Sequence, residues 1–259
     1  MKKQLSIFSN ELLNKVPEVT IAFWVIKIMT TTVGETVADY LAVNAGLGQA
    51  TTRWAMLILL VGTLIMQMRT TRCQPILYWS TVVLVSVVGT QITDALTDGL
   101  GISLYLSTTV FLVLLLFTFS MWYHSEKTLS ITAIDTHKRE AFYWATILCT
   151  FALGTAAGDL ATEAVGLGFQ MGVGIFCALI ALTAFAYRLG VHPVLTFWIA
   201  YILTRPLGAA LGDWLSQATE YGGLGLGAMW TSVIFLAVIC ILVTVAHRNA
   251  NSTRSINWA

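Results

Sequence analysis

The chain has 259 residues, 57 % hydrophobic and 10 % charged, where a soluble domain carries roughly 25 % charged residues, so an ordinary globular protein is excluded. A net charge of +1 leaves no basic surplus for a nucleic-acid partner. What remains is an all-α integral membrane protein.

Segment 1–16 opens with Lys2 and Lys3, as a signal peptide does, but 4–15 is mixed and polar and the apolar run begins only near Pro17. No cleavage is expected, and the segment reads as cytoplasmic. Since about 20 apolar residues span a bilayer, the pattern predicts eight transmembrane helices near 17–43, 48–69, 75–98, 101–123, 140–165, 168–189, 193–219 and 226–247. Paired, they make repeats at 17–69, 75–123, 140–189 and 193–247, with a cytoplasmic linker at 124–139 and a cytoplasmic tail at 248–259. Cys73, Cys149, Cys177 and Cys240 are scattered, with no disulfide or metal spacing, and read as packing residues.

The repeats share one line: an aromatic residue and Trp, Gly ten positions on, then Asp five further. The copies are Phe23-Trp24/Gly34/Asp39, Tyr78-Trp79/Gly89/Asp94, Tyr143-Trp144/Gly154/Asp159 and Phe197-Trp198/Gly208/Asp213. Four of the six Asp residues in the chain occupy this slot, which makes the spacing an internal repeat. A Gly-Leu-Gly follows each Asp, at Gly46, Gly99, Gly166 and Gly225, and a second apolar run begins there. Each repeat is therefore expected to be a helical hairpin closed by a tight glycine turn.

Basic residues gather on the side of the termini and the loops between repeats, at Lys2, Lys3, Lys15, Arg69, Arg72, Lys127, Lys138, Arg139, Arg188, Arg248 and Arg254, whereas only Arg53 lies near the Gly-Leu-Gly turns. The positive-inside rule puts both termini in the cytoplasm. Two helices per unit make the four repeats parallel, related by rotation about the membrane normal. The stretches Lys15-Val16-Pro17-Glu18-Val19-Thr20, Thr32-Val33-Gly34-Glu35-Thr36, Ser86-Val87-Val88-Gly89-Thr90, Leu129-Ser130-Ile131, Phe142-Tyr143-Trp144 and Tyr201-Ile202-Leu203-Thr204-Arg205-Pro206-Leu207-Gly208 are similar to a bacterial inner-membrane family of uncharacterised membrane-anchored proteins. That resemblance implies a bacterial inner-membrane location and brings no substrate with it.

Function has to come from the polar stripe on the first helix of each repeat. Stepping back from Asp39 in fours gives Glu35, Thr31 and Lys27 on one slowly winding face. Asp94 follows Thr90 and Ser86 and precedes Asp98; Asp159 follows Thr155 and precedes Glu163; Asp213 follows Arg205. Exposing such a stripe to lipid costs several kcal/mol, so it is expected to face the bundle interior. From Trp24 to Asp39 the rise is roughly 22 Å, which sets the Trp pairs at the cytoplasmic interface and the carboxylates in the outer half of the membrane. Gly34, Gly89, Gly154 and Gly208 fall between, as close-packing contacts or as helix breaks that expose carbonyls. Pro206 favours a break in the fourth copy.

Five acids within the spans, Glu35, Asp39, Asp94, Asp159 and Asp213, outnumber the two deep bases, Lys27 and Arg205. Crowded like charges at low dielectric take up protons or recruit a cation. Carboxylates with the hydroxyls of Thr31, Thr90 and Thr155 are hard donors that suit Ca²⁺, Mg²⁺, Mn²⁺, Na⁺ or H⁺ and disfavour zinc and copper. His124, His137, His192 and His247 lie at the cytoplasmic helix ends and read as solvated interfacial residues. No phosphate loop, nucleotide domain or catalytic motif is present in the sequence, and nothing calls for a cofactor. The expected function is a transporter moving an inorganic cation through the four Asp residues on the repeat axis, exchanged for or coupled to protons, with membrane lipid around it. A non-transport scaffold held by a structural polar network is the alternative, and an intramembrane lipid-modifying enzyme a weaker one. Arg205, the single deep guanidinium, is expected to hold the empty acidic site together.

Overall fold

The computed structural model describes residues 14–43 and 49–256; residues 1–13, 44–48 with the first Gly-Leu-Gly, and 257–259 lie outside it. Eight helices follow in order: α1 (Ile21–Val43), α2 (Gln49–Arg69), α3 (Pro75–Asp94), α4 (Leu104–Glu126), α5 (His137–Asp159), α6 (Phe169–Arg188), α7 (Pro193–Ser216) and α8 (Ala228–Ile256). All are long and apolar enough to cross a membrane.

Local chemistry sets the ends and moves some expected boundaries. The α1 helix starts at Ile21, not 17, because the Thr20 hydroxyl caps it by accepting from the Phe23 N–H at 3.3 Å. On α5 the start moves outward to His137, where Thr136 caps by accepting from the Arg139 N–H at 3.3 Å. Together with the extension of α4 to Glu126, this shortens the 124–139 linker. Gly166 and Gly168, at φ +76° and +75°, adopt the left-handed backbone that lets the chain leave α5 and start α6.

The hairpin expectation is overturned in one respect. The first helices of the repeats, α1, α3, α5 and α7, form an inner ring in which each packs on the next and α7 closes on α1. The second helices do not fold back chiefly onto their own partners. Instead α2 packs on α3, α4 on α5, α6 on α7 and α8 on α1, so every repeat lends its outer helix to the following repeat. The reason is visible after α3 and α5, where the wider π-helical turns Ala95–Gly99 and Leu160–Ala164 precede the next helix and carry the chain sideways before it returns. Burial separates the two shells: 56–67 % of the most apolar window of each inner helix is buried, against 17–22 % in the outer ones.

Two layers of the inner ring repeat the same contact around the circle. In the first, the leading aromatic of each repeat meets the Trp of the next: Phe23 with Trp79 (5.2 Å between centroids), Tyr78 with Trp144 (5.6 Å), Tyr143 with Trp198 (6.3 Å) and Phe197 with Trp24 (5.5 Å). In the second, a Cβ placed on Gly34 would collide with Ser86, on Gly89 with Phe151, on Gly154 with Arg205 and on Gly208 with Thr31. Each of those partners stands seven positions after its own Trp. Equivalent residues meeting in four successive pairs fix the repeats as parallel and rotationally related. They also assign the glycines to close helix packing. All four inner helices run on through them, and Pro206 sits inside α7 without ending it, so the expected break is absent.

Candidate functional site

Five positions beyond its glycine, every inner helix presents its Asp to the ring axis. Asp39, Asp94, Asp159 and Asp213 line one cavity of about 240 Å³ at the end of the bundle opposite the aromatic layer. Exposure falls along its depth. Asp98 and Glu163 are exposed at the rim, Asp39, Asp94 and Asp159 are half-buried, and Asp213 and Glu35 are buried. Thr52, Arg53, Gln91, Thr97 and Gln217 complete the polar part of the wall.

Arg205 forms the floor and is fully buried. Its Nη2 donates to Glu35 Oε2 at 2.9 Å, to the Thr155 hydroxyl at 2.6 Å and to the Thr90 hydroxyl, while Nη1 donates to the Thr31 carbonyl at 3.5 Å. Glu35, Thr90 and Thr155 occupy one shared position, eleven after Trp, in the first three repeats; the fourth repeat has Ala209 there. One guanidinium from the fourth repeat thus gathers the other three, and the small Ala209 leaves it room. Planar, multidentate and permanently charged, it does what a lysine in its place would not.

Lys27 does not join this network. Its Nζ is fully buried, makes no hydrogen bond among the described residues and lies 4.0 Å from the Phe151 ring centroid and 4.3 Å from that of Tyr201. Lys27, expected on the face of Glu35 and Asp39, thus takes a cation–π seat one layer deeper. Phe151 separates the two bases, with Arg205 Cζ 5.6 Å from the same ring centroid. Beyond Lys27 the axis continues through the Tyr78 and Tyr143 hydroxyls, 2.5 Å apart.

A second buried polar cluster stands at the opposite end. Lys15, from the segment before α1, is buried and bonds Glu140 Oε2 at 2.5 Å and the Met68 carbonyl at 3.1 Å, and Gln67 Nε2 donates to Glu140 Oε1 at 3.4 Å. The sequence pattern puts Glu140 at the start of the 140–165 span and carries no sign of this contact. It also left Asp98 and Glu163 out of the site, although both stand four positions after a motif Asp, the spacing that keeps a face. The added signal is the π-helical turn beginning at the residue after Asp94 and Asp159, a feature frequent at functional sites.

The family model described as Repeat of Unknown Function (DUF347) matches residues 22–72, 77–128, 142–190 and 196–251. The chain belongs to this family. Each DUF347 match contains one whole copy of the aromatic-Trp, Gly and Asp line, so the cavity is built from one acid per DUF347 repeat. No curated protein and no solved structure matches the chain.

Proposed function

We propose that this DUF347 protein is a transporter of a bacterial inner membrane that moves an inorganic cation, Ca²⁺, Mg²⁺, Mn²⁺ or Na⁺, through the acidic vestibule in exchange for or coupled to protons. Both termini lie in the cytoplasm and the vestibule opens to the periplasm, as the distribution of basic residues requires. The observation that carries the reading is the convergence of four equivalent Asp residues, joined by Glu35, Asp98 and Glu163, on one cavity whose nearest bases are Arg53 and Arg205. Carboxylates in such surplus attract cations and protons and repel anions.

Arg205 gives the vestibule a floor, so passage requires it to release Glu35, Thr90 and Thr155. A cation arriving at Glu35 competes with Arg205 for the same carboxylate, which couples occupancy to opening. The hydrogen bonds of Arg205 to Glu35, Thr90 and Thr155 also favour the scaffold reading, in which the acids only hold the helices together. Flux separates the two. Purified protein in liposomes, under imposed gradients of each cation with internal pH read in parallel, is expected to accelerate cation movement above empty liposomes and to move protons with it. Flux equal to that of empty liposomes for every cation tested would favour the scaffold.

A further inference from the structure

Three carboxylates stand apart from the rest of the vestibule. One oxygen each from Glu35, Asp159 and Asp213 lies within 4.8 Å of the other two. Asp213 is only 7 % exposed, yet its carboxylate makes no hydrogen bond or ion pair among the described residues, although it lines the cavity. Glu35 is divided: Oε2 is taken by Arg205 and Thr90, and Oε1 carries no hydrogen bond among the described residues. The inner ring holds Asp213 at the cavity wall, because its helix is fixed by the contact of Gly208 with Thr31 and of Gly212 with Glu35.

We infer that Glu35, Asp159 and Asp213 form the seat of one divalent, oxygen-seeking cation, with Arg205 as a built-in fourth charge that balances it. This rests on the transport reading for its purpose, and on its own geometry for its existence. Oxygens bound to one ion at about 2.1–2.5 Å stand roughly 3–5 Å apart, so the three reach a common centre with changes of side-chain rotamer alone. Charge selects the valence. Three carboxylates and one guanidinium leave two negative charges, which a divalent ion neutralises and a monovalent ion does not. The all-oxygen donor set selects Mg²⁺, Mn²⁺ or Ca²⁺ over softer metals. Space selects a partly hydrated ion, since the cavity of about 240 Å³ holds several waters at about 30 Å³ each.

The test is equilibrium binding of Mn²⁺ to purified, full-length protein in detergent, read by the electron paramagnetic resonance signal of free Mn²⁺. One saturable site is expected, displaced by Ca²⁺ or Mg²⁺ and not by Na⁺ in large excess. Asp213→Asn and Asp159→Asn are expected to weaken it by at least about tenfold, while Glu18→Gln, an exposed acid far from the cavity, leaves it unchanged. Elution as a monodisperse species identifies folded variants, and Asp213→Asn removes only a charge from a crowded site. No saturable Mn²⁺ binding by folded wild type, equal affinity in Asp213→Asn, or displacement by Na⁺ would overturn the seat. Mn²⁺ binding lost in Asp213→Asn but without flux in liposomes would uphold the seat and remove transport. Na⁺ flux without Mn²⁺ binding would overturn the seat and leave transport standing.

Discussion

The two ends of the inner ring are built from the same four helices and treat charge in opposite ways. At the aromatic end, acids are met by bases: buried Lys15 with Glu140, and Arg139 with Glu126 at 2.9 Å and with Asp135 at 3.0 Å. At the acidic end seven carboxyls share a cavity over the single guanidinium floor of Arg205, with Arg53 at the wall. A repeat copied four times would make both ends alike in every copy. Departures from symmetry occur at the rim, where Asp98 and Glu163 stand against Val43 and Gln217 in the other two copies, but those that close the axis, Lys27, Glu35, Arg205 and Ala209, fall between the ends. Symmetry therefore supplies the vestibule, and its breaking supplies the floor.

The largest expected effect comes from removing that floor. Arg205→Gln leaves Glu35 buried without its cation and is expected to cost about 3–5 kcal/mol of stability, measured by thermal or denaturant unfolding in detergent. At the aromatic end Glu140→Gln keeps a partial partner for Lys15 and costs less, about 1–3 kcal/mol. Packing separates inner from outer helices in the same assay. Gly154→Ala would drive a methyl into Arg205, with a loss of about 1–3 kcal/mol, whereas Gly62→Ala on α2 meets nothing and gains up to about 1 kcal/mol. Asp94→Asn inverts the sign seen at Glu140. It relieves like-charge repulsion and is expected to stabilise by about 1 kcal/mol, the size of a Coulomb interaction at about 4 Å in water.

The smallest effect lies outside the membrane. The Arg139 guanidinium, with Lys138 and Ser125 beside it, holds Glu126 below its ordinary pKa of 4.5. A depressed carboxylate pKa gives stability that is complete above 4.5 and is lost as pH falls through the lower folded value. Unfolding curves of wild type and Glu126→Gln are thus expected to differ slightly at neutral pH and to converge below pH 4.5. A difference that persists in acid would assign the contribution of Glu126 to packing.

Much of this was legible in the chain itself. Eight helices and the parallel repeats follow from apolar runs and from one motif, because helix length and a shared register are local properties. The convergence of the four Asp residues follows too, since a polar stripe has nowhere to go but inward. The exchange of outer helices between repeats was hidden, because the second helices are apolar on every face and carry no periodic mark of their partner. Lys27 misled for a related reason: its spacing of four and eight from Thr31 and Glu35 is real, but a helical face winds, and the Nζ found Tyr201 on the neighbouring α7 and Phe151 on α5 across the ring. The Lys15–Glu140 pair joins residues 125 positions apart, and no local pattern announces such a contact. Arg205 was recognisable as the single deep guanidinium. Its three partners became clear only when the repeats were seen to offer their eleventh position after Trp to the same point.

The most direct test of the central claim is cation flux through reconstituted protein with each member of the Asp ring neutralised in turn. Wild type is expected to carry a saturable, proton-linked cation flux. Asp39→Asn, Asp94→Asn, Asp159→Asn and Asp213→Asn are all expected to reduce it, unequally, with the deepest loss at buried Asp213. Four folded variants that transport as well as wild type would contradict the account and return the acidic ring to a structural role.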